Sequence, residues 1–156
     1  MVKLKRSDFI VLSFSGKRLD PDKITEKIGI PPFTQAKLNE FSTGFAYASG
    51  YFPKCPIKSK TGYWNEGTHS NSKQKIEIQF SQLTKRFKRC RDAIVEVMSW
   101  DSIDEAYIEI VVKPSYKDAD YSCRLRSKDL EFWSSLGIDV IFTCWVPGWD
   151  KDLKVR

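Results

Sequence analysis

The chain has 156 residues, 41% hydrophobic and 13% aromatic, and carries a net charge of +6 from 26 Lys plus Arg against 20 Asp plus Glu. That length buries a core without disulfides or a metal, and the composition excludes a disordered chain. The charge permits an acidic partner (nucleic acid, anionic lipid or an acidic protein) without requiring one, and no apolar stretch in the sequence approaches membrane-spanning length.

The start, Met1-Val2-Lys3-Leu4-Lys5-Arg6, is basic and precedes the apolar run Phe9 to Phe14. The run is short, Asp8 directly precedes it, and Ser15-Gly16-Lys17-Arg18 offers no small-x-small cleavage site. Residues 8 to 15 therefore read as a strand and not as a signal peptide. A helix should follow. Asp20 can cap it, Pro21 suits the first helical position, Leu19 can staple onto Ile24, and Ile24 and Ile28 share a face. Gly29 is placed to stop it in a left-handed cap.

Residues 31 to 60 show no regular period; Phe41, Phe45, Tyr47, Tyr51 and Phe52 sit among Gly and Ser, and Lys54, Lys58 and Lys60 follow. An aromatic-rich loop of that length is packed down or functional. A short strand is expected around Tyr63-Trp64-Asn65, then a polar turn from Gly67 to Ser72. Ile76, Ile78 and Phe80 alternate with Lys75, Glu77 and Gln79, the pattern of a half-buried strand. Leu83, Phe87, Cys90, Ile94 and Val97 then recur at spacings of four, three, four and three, which predicts one amphipathic helix over residues 82 to 98. Ala106, Ile108, Ile110 and Val112 alternate in a strand closed by Pro114. Ser127 can cap a short helix holding Leu130, Trp133 and Leu136; Gly137 ends it, and residues 138 to 145 form a last strand.

Strands separated by helices imply a single α+β domain over 1–156. The expected architecture is a four- to five-stranded, mostly antiparallel or mixed sheet with about three helices packed on one face, a ferredoxin-like variant. Cys55, Cys90, Cys123 and Cys144 are scattered without a Cys-x-x-Cys pair. They read as free thiols in a reducing compartment, so the cytoplasm is the expected location.

Three stretches together resemble the DUF4279 family, small bacterial domains of unknown function. They are the twelve residues from Leu19 to Ile30 (LDPDKITEKIGI), Gly62-Tyr63-Trp64, and the ten residues from Leu130 to Asp139 (LEFWSSLGID). The resemblance spans nearly the whole chain; the departure is the longer aromatic-rich segment at 33–60. It implies a strand leading into an Asp-Pro-capped helix and a late Leu-Gly turn feeding the last strand. It also implies an accessory protein, of a type sometimes placed near toxin–immunity or defence genes. It implies no catalytic residues.

The residues themselves offer little chemistry. His69 is the only histidine and lies in a Gly/Ser/Asn-rich turn without a nucleophile context. Asp20 and Asp22 are explained by capping and the helix dipole, and the Asp118–Asp120 loop lacks the glycine and terminal glutamate of a calcium hand. No phosphate-cradling glycine loop occurs. Neither a cofactor nor a metal is expected, and the sequence points away from an enzyme.

The basic cluster Lys85, Arg86, Lys88, Arg89 and Arg91 stands out. Lys85, Lys88 and Arg89 should point away from the apolar stripe, and Arg86 and Arg91 should flank it. In the early turns of a helix spanning 82 to 98, positive charge opposes the macrodipole, so a contact with something acidic would account for it. The plainer account is a solvated face with Lys88 paired to Asp92. Two functional readings follow. One is a non-catalytic protein-binding module, of the kind an immunity-type inhibitor of a toxin would be, whose partner has an acidic surface. The other is a nucleic-acid-binding domain using the same five cations; Tyr47, Tyr51 and Phe52 would add stacking groups only if their segment lay beside this face, and core or lid packing explains most of these aromatics more simply. No membrane partner is expected.

Overall fold

The computed structural model describes residues 8–41, 43–44, 58–68, 74–112 and 122–144. The elements in chain order are β1 (Phe9–Gly16), α1 (Pro21–Ile28), β2 (Thr34–Ala36), β3 (Thr43–Gly44), β4 (Gly62–Gly67), α2 (Ile76–Lys88), α3 (Arg91–Met98), β5 (Glu105–Val112), α4 (Ser127–Ser135) and β6 (Asp139–Cys144). The strands form one sheet in the order β3-β2-β4-β1-β5-β6, in which the outermost β3 is only two residues long. β1 is central and pairs antiparallel with both β4 and β5, whereas β6 runs parallel to β5. This is an α+β fold on a mixed, open sheet.

Register explains where the core lies. On β1, Ile10 and Leu12 stand opposite Ile110 and Ile108 of β5, and Phe14 stands opposite Trp64 of β4. These alternate strand residues share one face. They join Ile24 and Ile28 of α1, Phe80, Leu83 and Phe87 of α2, Ile94 and Val97 of α3, and Trp133 of α4 in one buried cluster. All four helices therefore layer on the same face. A run of aromatic rings threads the cluster: Phe14–Trp64 at 5.7 Å, Trp64–Phe87 at 6.4 Å and Phe87–Trp133 at 5.9 Å between centroids. These separations suit tilted and edge-to-face packing.

The first helix forms as its residues dictate. The Asp20 carboxylate accepts from the Asp22 N–H at 3.2 Å, Pro21 opens the helix, and Gly29 closes it at φ 72°. Gly137 likewise takes φ 71° beyond α4. Both are left-handed positions where a side chain would be strained.

Three expectations are corrected. Ile76 to Phe80 is not a strand but the first turns of α2. Ile76, Phe80, Leu83 and Phe87 lie at spacings of four, three and four and are buried together, whereas Ile78 falls off that stripe and is 47% exposed. The 3.6-residue period wins over the apparent alternation, as the full burial of Gln79, a polar residue on the outward side of the expected strand, shows. The single helix over 82–98 is two helices, α2 and α3, separated at Arg89 and Cys90, so the described residues hold four helices where about three were expected. At that corner the Cys90 N–H turns back to the Phe87 carbonyl at 2.9 Å. The turn lets α2 lie on β1 and α4 while α3 lies against α1. Finally, Ser127 is the first helical residue of α4 and Arg126 takes the cap position, with no side-chain cap bond.

Candidate docking groove between two helices

α2 and α4 are joined by hydrogen bonds that also shape the surface between them. The Trp133 indole N–H donates to Thr84 Oγ1 at 2.8 Å, and the Thr84 hydroxyl donates to the Phe80 carbonyl at 2.8 Å. One turn nearer solvent, the Ser81 hydroxyl donates to Asp129 Oδ2 at 2.8 Å, and the same oxygen accepts from Arg126 Nε at 2.8 Å. Asp129 is only 2% exposed, so its carboxylate is held by a cation and a hydroxyl and not by water. At the entrance to α4, the Arg124 N–H donates to Glu77 Oε1 at 3.3 Å.

Between the helices lies a groove of about 620 Å³. Ile78, Ser81, Gln82, Lys85 and Lys88 line it from α2, Arg126, Lys128 and Asp129 line it from the start of α4, and Glu77 lies at its margin. Ile78 and the aliphatic stems of the lysines make an apolar floor with a charged rim. Four cations face two carboxylates there, and Asp129 is already neutralised by Arg126. The uncapped first turn of α4 adds its own partial positive charge. A second hollow of about 430 Å³, lined by Gln82, Lys85, Arg86 and Arg89, continues the same cationic surface across the outer side of α2.

The structure sorts the cations singled out in the sequence. Lys85 borders both hollows; Lys88 borders the first and sits 5.8 Å over the Phe132 ring. Arg86 reaches back to the sheet, where it pairs with the buried Glu66 of β4. Arg89 forms the C-cap of α2. Arg91 begins α3 with its guanidinium 3.9 Å from Asp92, so the ion pair of Asp92 is with Arg91 rather than with Lys88. Lys85, Arg86 and Lys88 occupy the last turn of α2, where positive charge favours the helix dipole. For these three the expected conflict with the dipole is absent and they need no partner to be tolerated; Arg91, in the first turn of α3, keeps that position beside Asp92.

Tyr47, Tyr51 and Phe52 lie outside the described residues, as do His69, Asp118, Asp120 and Cys55. Asp20 and Asp22 face Lys37 Nζ at 3.1 and 3.4 Å, and Asp22 also accepts from Gln35 Nε2 at 3.0 Å, which ties α1 to β2. The Asp20 carboxylate holds the Lys37 ammonium above its ordinary pKa by hydrogen bond and charge, with a smaller contribution from Asp22. Among the described residues no three His, Cys, Asp or Glu side chains converge as a metal site would need, and no helix is long and apolar enough to cross a membrane.

Sequence reading missed Arg126, Lys128 and Ile78. The run Arg124-Leu125-Arg126-Ser127-Lys128 carried a signal, but only the packing of α4 on α2 brings it to Lys85 and Lys88. Ile78 was hidden by its assignment to a strand.

No curated protein and no solved structure matches the chain. A family model does, described as a domain of unknown function (DUF4279), over residues 6–147. That match takes in every element from β1 to β6, and the chain belongs to the DUF4279 family.

Proposed function

We propose that this chain is a non-catalytic protein-binding module, whose α2–α4 groove receives an acidic, amphipathic segment of a partner protein. The observation that carries this reading is the groove itself, an apolar floor at Ile78 rimmed by Lys85, Lys88, Arg126 and Lys128. A helix with one apolar and one acidic face matches both features at once. An immunity-type inhibitor is the role such a module plays if its partner is a toxin, and the net charge of +6 suits an acidic target. The free thiols Cys90, Cys123 and Cys144 support a reducing, cytoplasmic setting.

Nucleic acid is the second reading, favoured by the continuity of Lys85, Arg86, Lys88 and Arg89. Against it, Arg86 is committed to Glu66, Phe87 is buried, and Phe132 lies beneath Lys88 against Trp133.

Fluorescence anisotropy separates the two. The probes are a Glu/Leu amphipathic helical peptide, its Lys/Leu counterpart and single-stranded oligonucleotides. The acidic peptide should bind, and Lys85→Glu with Lys88→Glu should weaken it by roughly tenfold or more. Equal affinity for both peptides sinks the proposal, and tighter binding of the oligonucleotide transfers it to the second reading.

A further inference from the structure

The charge of the α2–α4 groove changes along its length. The Arg124 N–H donates to Glu77, the Ser81 hydroxyl to Asp129 and the Trp133 indole to Thr84. α2 and α4 therefore run side by side in the same direction, and the start of α4, with Arg126 and Lys128, stands beside the first half of α2. At that end the lining charges cancel, since Asp129 is paired with Arg126 and Glu77 matches Lys128 in number. At the other end they do not. Lys85, Lys88 and Arg89 are exposed, and no ion pair among the described residues includes them, whereas Lys27, Lys37, Arg86, Arg91 and Arg126 are all paired. Arg89 lines only the second hollow, which shares Gln82 and Lys85 with the groove. With Arg86 committed to Glu66, the uncompensated charge of that hollow is that of Lys85 and Arg89. Groove and hollow thus form one surface that turns across α2 at Gln82 and Lys85.

We infer that the partner segment has a fixed direction and two parts: a short helix running the same way as α2, then an acidic stretch beyond its C-terminus that crosses α2 at Lys85 to reach Arg89. This rests on the groove reading above and adds the order of the segment to it. Direction follows from the helix dipole. The half-negative C-terminal end of the docked helix is favoured beside Lys85, Lys88 and Arg89, and its half-positive N-terminal end beside Glu77. Those three unit charges outweigh the half charge at the C-terminal end of α2 itself. Length follows from the rise of α2. Ile78 to Lys88 spans about 15 Å, so the helical part needs about ten residues. Its apolar residues belong over Ile78, and its carboxylates belong in the last turn and the stretch that follows. Carboxylates placed there meet the cations that no group of this chain compensates.

Fluorescence anisotropy with end-blocked peptides tests this on the whole chain. The probes are the Glu/Leu helix alone, the same helix with a short glutamate run after its C-terminus, and the same helix with that run before its N-terminus. Both tailed peptides carry equal charge, so a difference between them reports position and needs no variant of the protein. At about 0.15 M salt the C-terminal run should tighten binding by roughly tenfold, and the N-terminal run by much less. Arg89→Gln should remove most of the C-terminal gain while leaving the untailed helix within about twofold, and Arg89→Lys should keep it. Lys23→Gln, which removes one exposed charge on α1, should leave the gain intact. Circular dichroism shows that each variant is folded. Equal gains from the two tails overturn the inference, as does a C-terminal gain that survives Arg89→Gln or falls as far with Lys23→Gln. If the untailed helix binds and neither tail helps, the groove reading stands and this inference fails; if no peptide binds, both fall.

Discussion

Glu66 and Arg86 form an ion pair across the interface between sheet and helix. Glu66 stands on the helix-facing side of β4, opposite Leu12, and is 7% exposed; Arg86 reaches it from the last turn of α2. A carboxylate at a core position needs a compensating cation, because burying an unpaired charge costs several kcal/mol. Arg86 meets that need from a half-exposed position, with its guanidinium 6.0 Å over the Phe87 ring. Together with the buried stripe Ile76, Phe80, Leu83 and Phe87, the pair ties α2 to the sheet, while Lys85 and Lys88 border the groove.

Arg86→Met keeps the length of the side chain and removes its charge. Stability in urea should fall by about 1–3 kcal/mol, less than for a fully buried pair because Arg86 is partly solvated. Adding Glu66→Gln should recover a substantial part of the loss, since the buried group then carries no charge. A double variant no more stable than Arg86→Met alone would show that the pair is not the cause.

The contact between Trp133 and Thr84 makes a second, independent demand. The indole N–H is fully buried, and Thr84 Oγ1 is its acceptor. Thr84→Val matches the shape but leaves that donor unsatisfied, at a cost of about 1–3 kcal/mol. Thr84→Ser keeps the acceptor and should cost less than Thr84→Val. The order of the two midpoints in urea is the measurement, and the reverse order would remove the hydrogen bond from the account of how α4 is held.

The parts of the fold legible in the sequence are those set by local chemistry. Asp20, Pro21 and Gly29 define α1 with little outside help, and the alternation of Ala106, Ile108, Ile110 and Val112 defines β5. The start of α2 was misread because Ile76, Ile78 and Phe80 fit a period of two as well as Ile76, Phe80 and Leu83 fit one of 3.6. Only the burial of Gln79 beneath the helix, where its amide donates to the carbonyls of Asp8 and Gln74, decides between them. The corner at Cys90 was illegible for a related reason. The apolar stripe continues unbroken through it, and neither glycine nor proline marks it; tertiary packing of α3 against α1 supplies the bend. Half of the candidate groove was visible as Lys85 and Lys88. The other half came from Arg126 and Lys128, about forty residues away in sequence, and no local pattern could join them.

Cys123 offers a test by pH. Partial burial, then the nearby charges of Glu77 and Asp8, push its thiol above the ordinary range. The protonated form is thus favoured in the fold, and the unfolded chain ionises first. Stability from this group is complete below the unfolded pKa of about 8.5 and is lost as pH rises through the raised folded value. In the native protein, alkylation of Cys123 should lag behind that of the same thiol in urea until the pH exceeds the ordinary thiol range. Glu77→Gln should narrow the lag without abolishing it, because burial is the larger cause. Equal rates for native and unfolded protein near pH 8.5 would contradict the shift.

Ile78 distinguishes a shaped groove from a merely charged surface. It is 47% exposed on α2 and off the buried stripe, so Ile78→Ser should change unfolding stability by no more than about 0.5 kcal/mol plus the small loss in helix propensity. If an acidic amphipathic helix lays its apolar face on the floor of the groove, the same substitution should weaken its binding by several-fold. That loss should persist at high salt, because it comes from buried apolar area and not from charge. Lys85→Glu should behave in the opposite way, with a loss that shrinks as salt rises. A ligand attracted by charge alone, an oligonucleotide included, would register the lysine and ignore the isoleucine. Binding of the acidic peptide that is indifferent to Ile78→Ser would therefore reduce the groove to an electrostatic surface, even if every charge substitution behaved as expected.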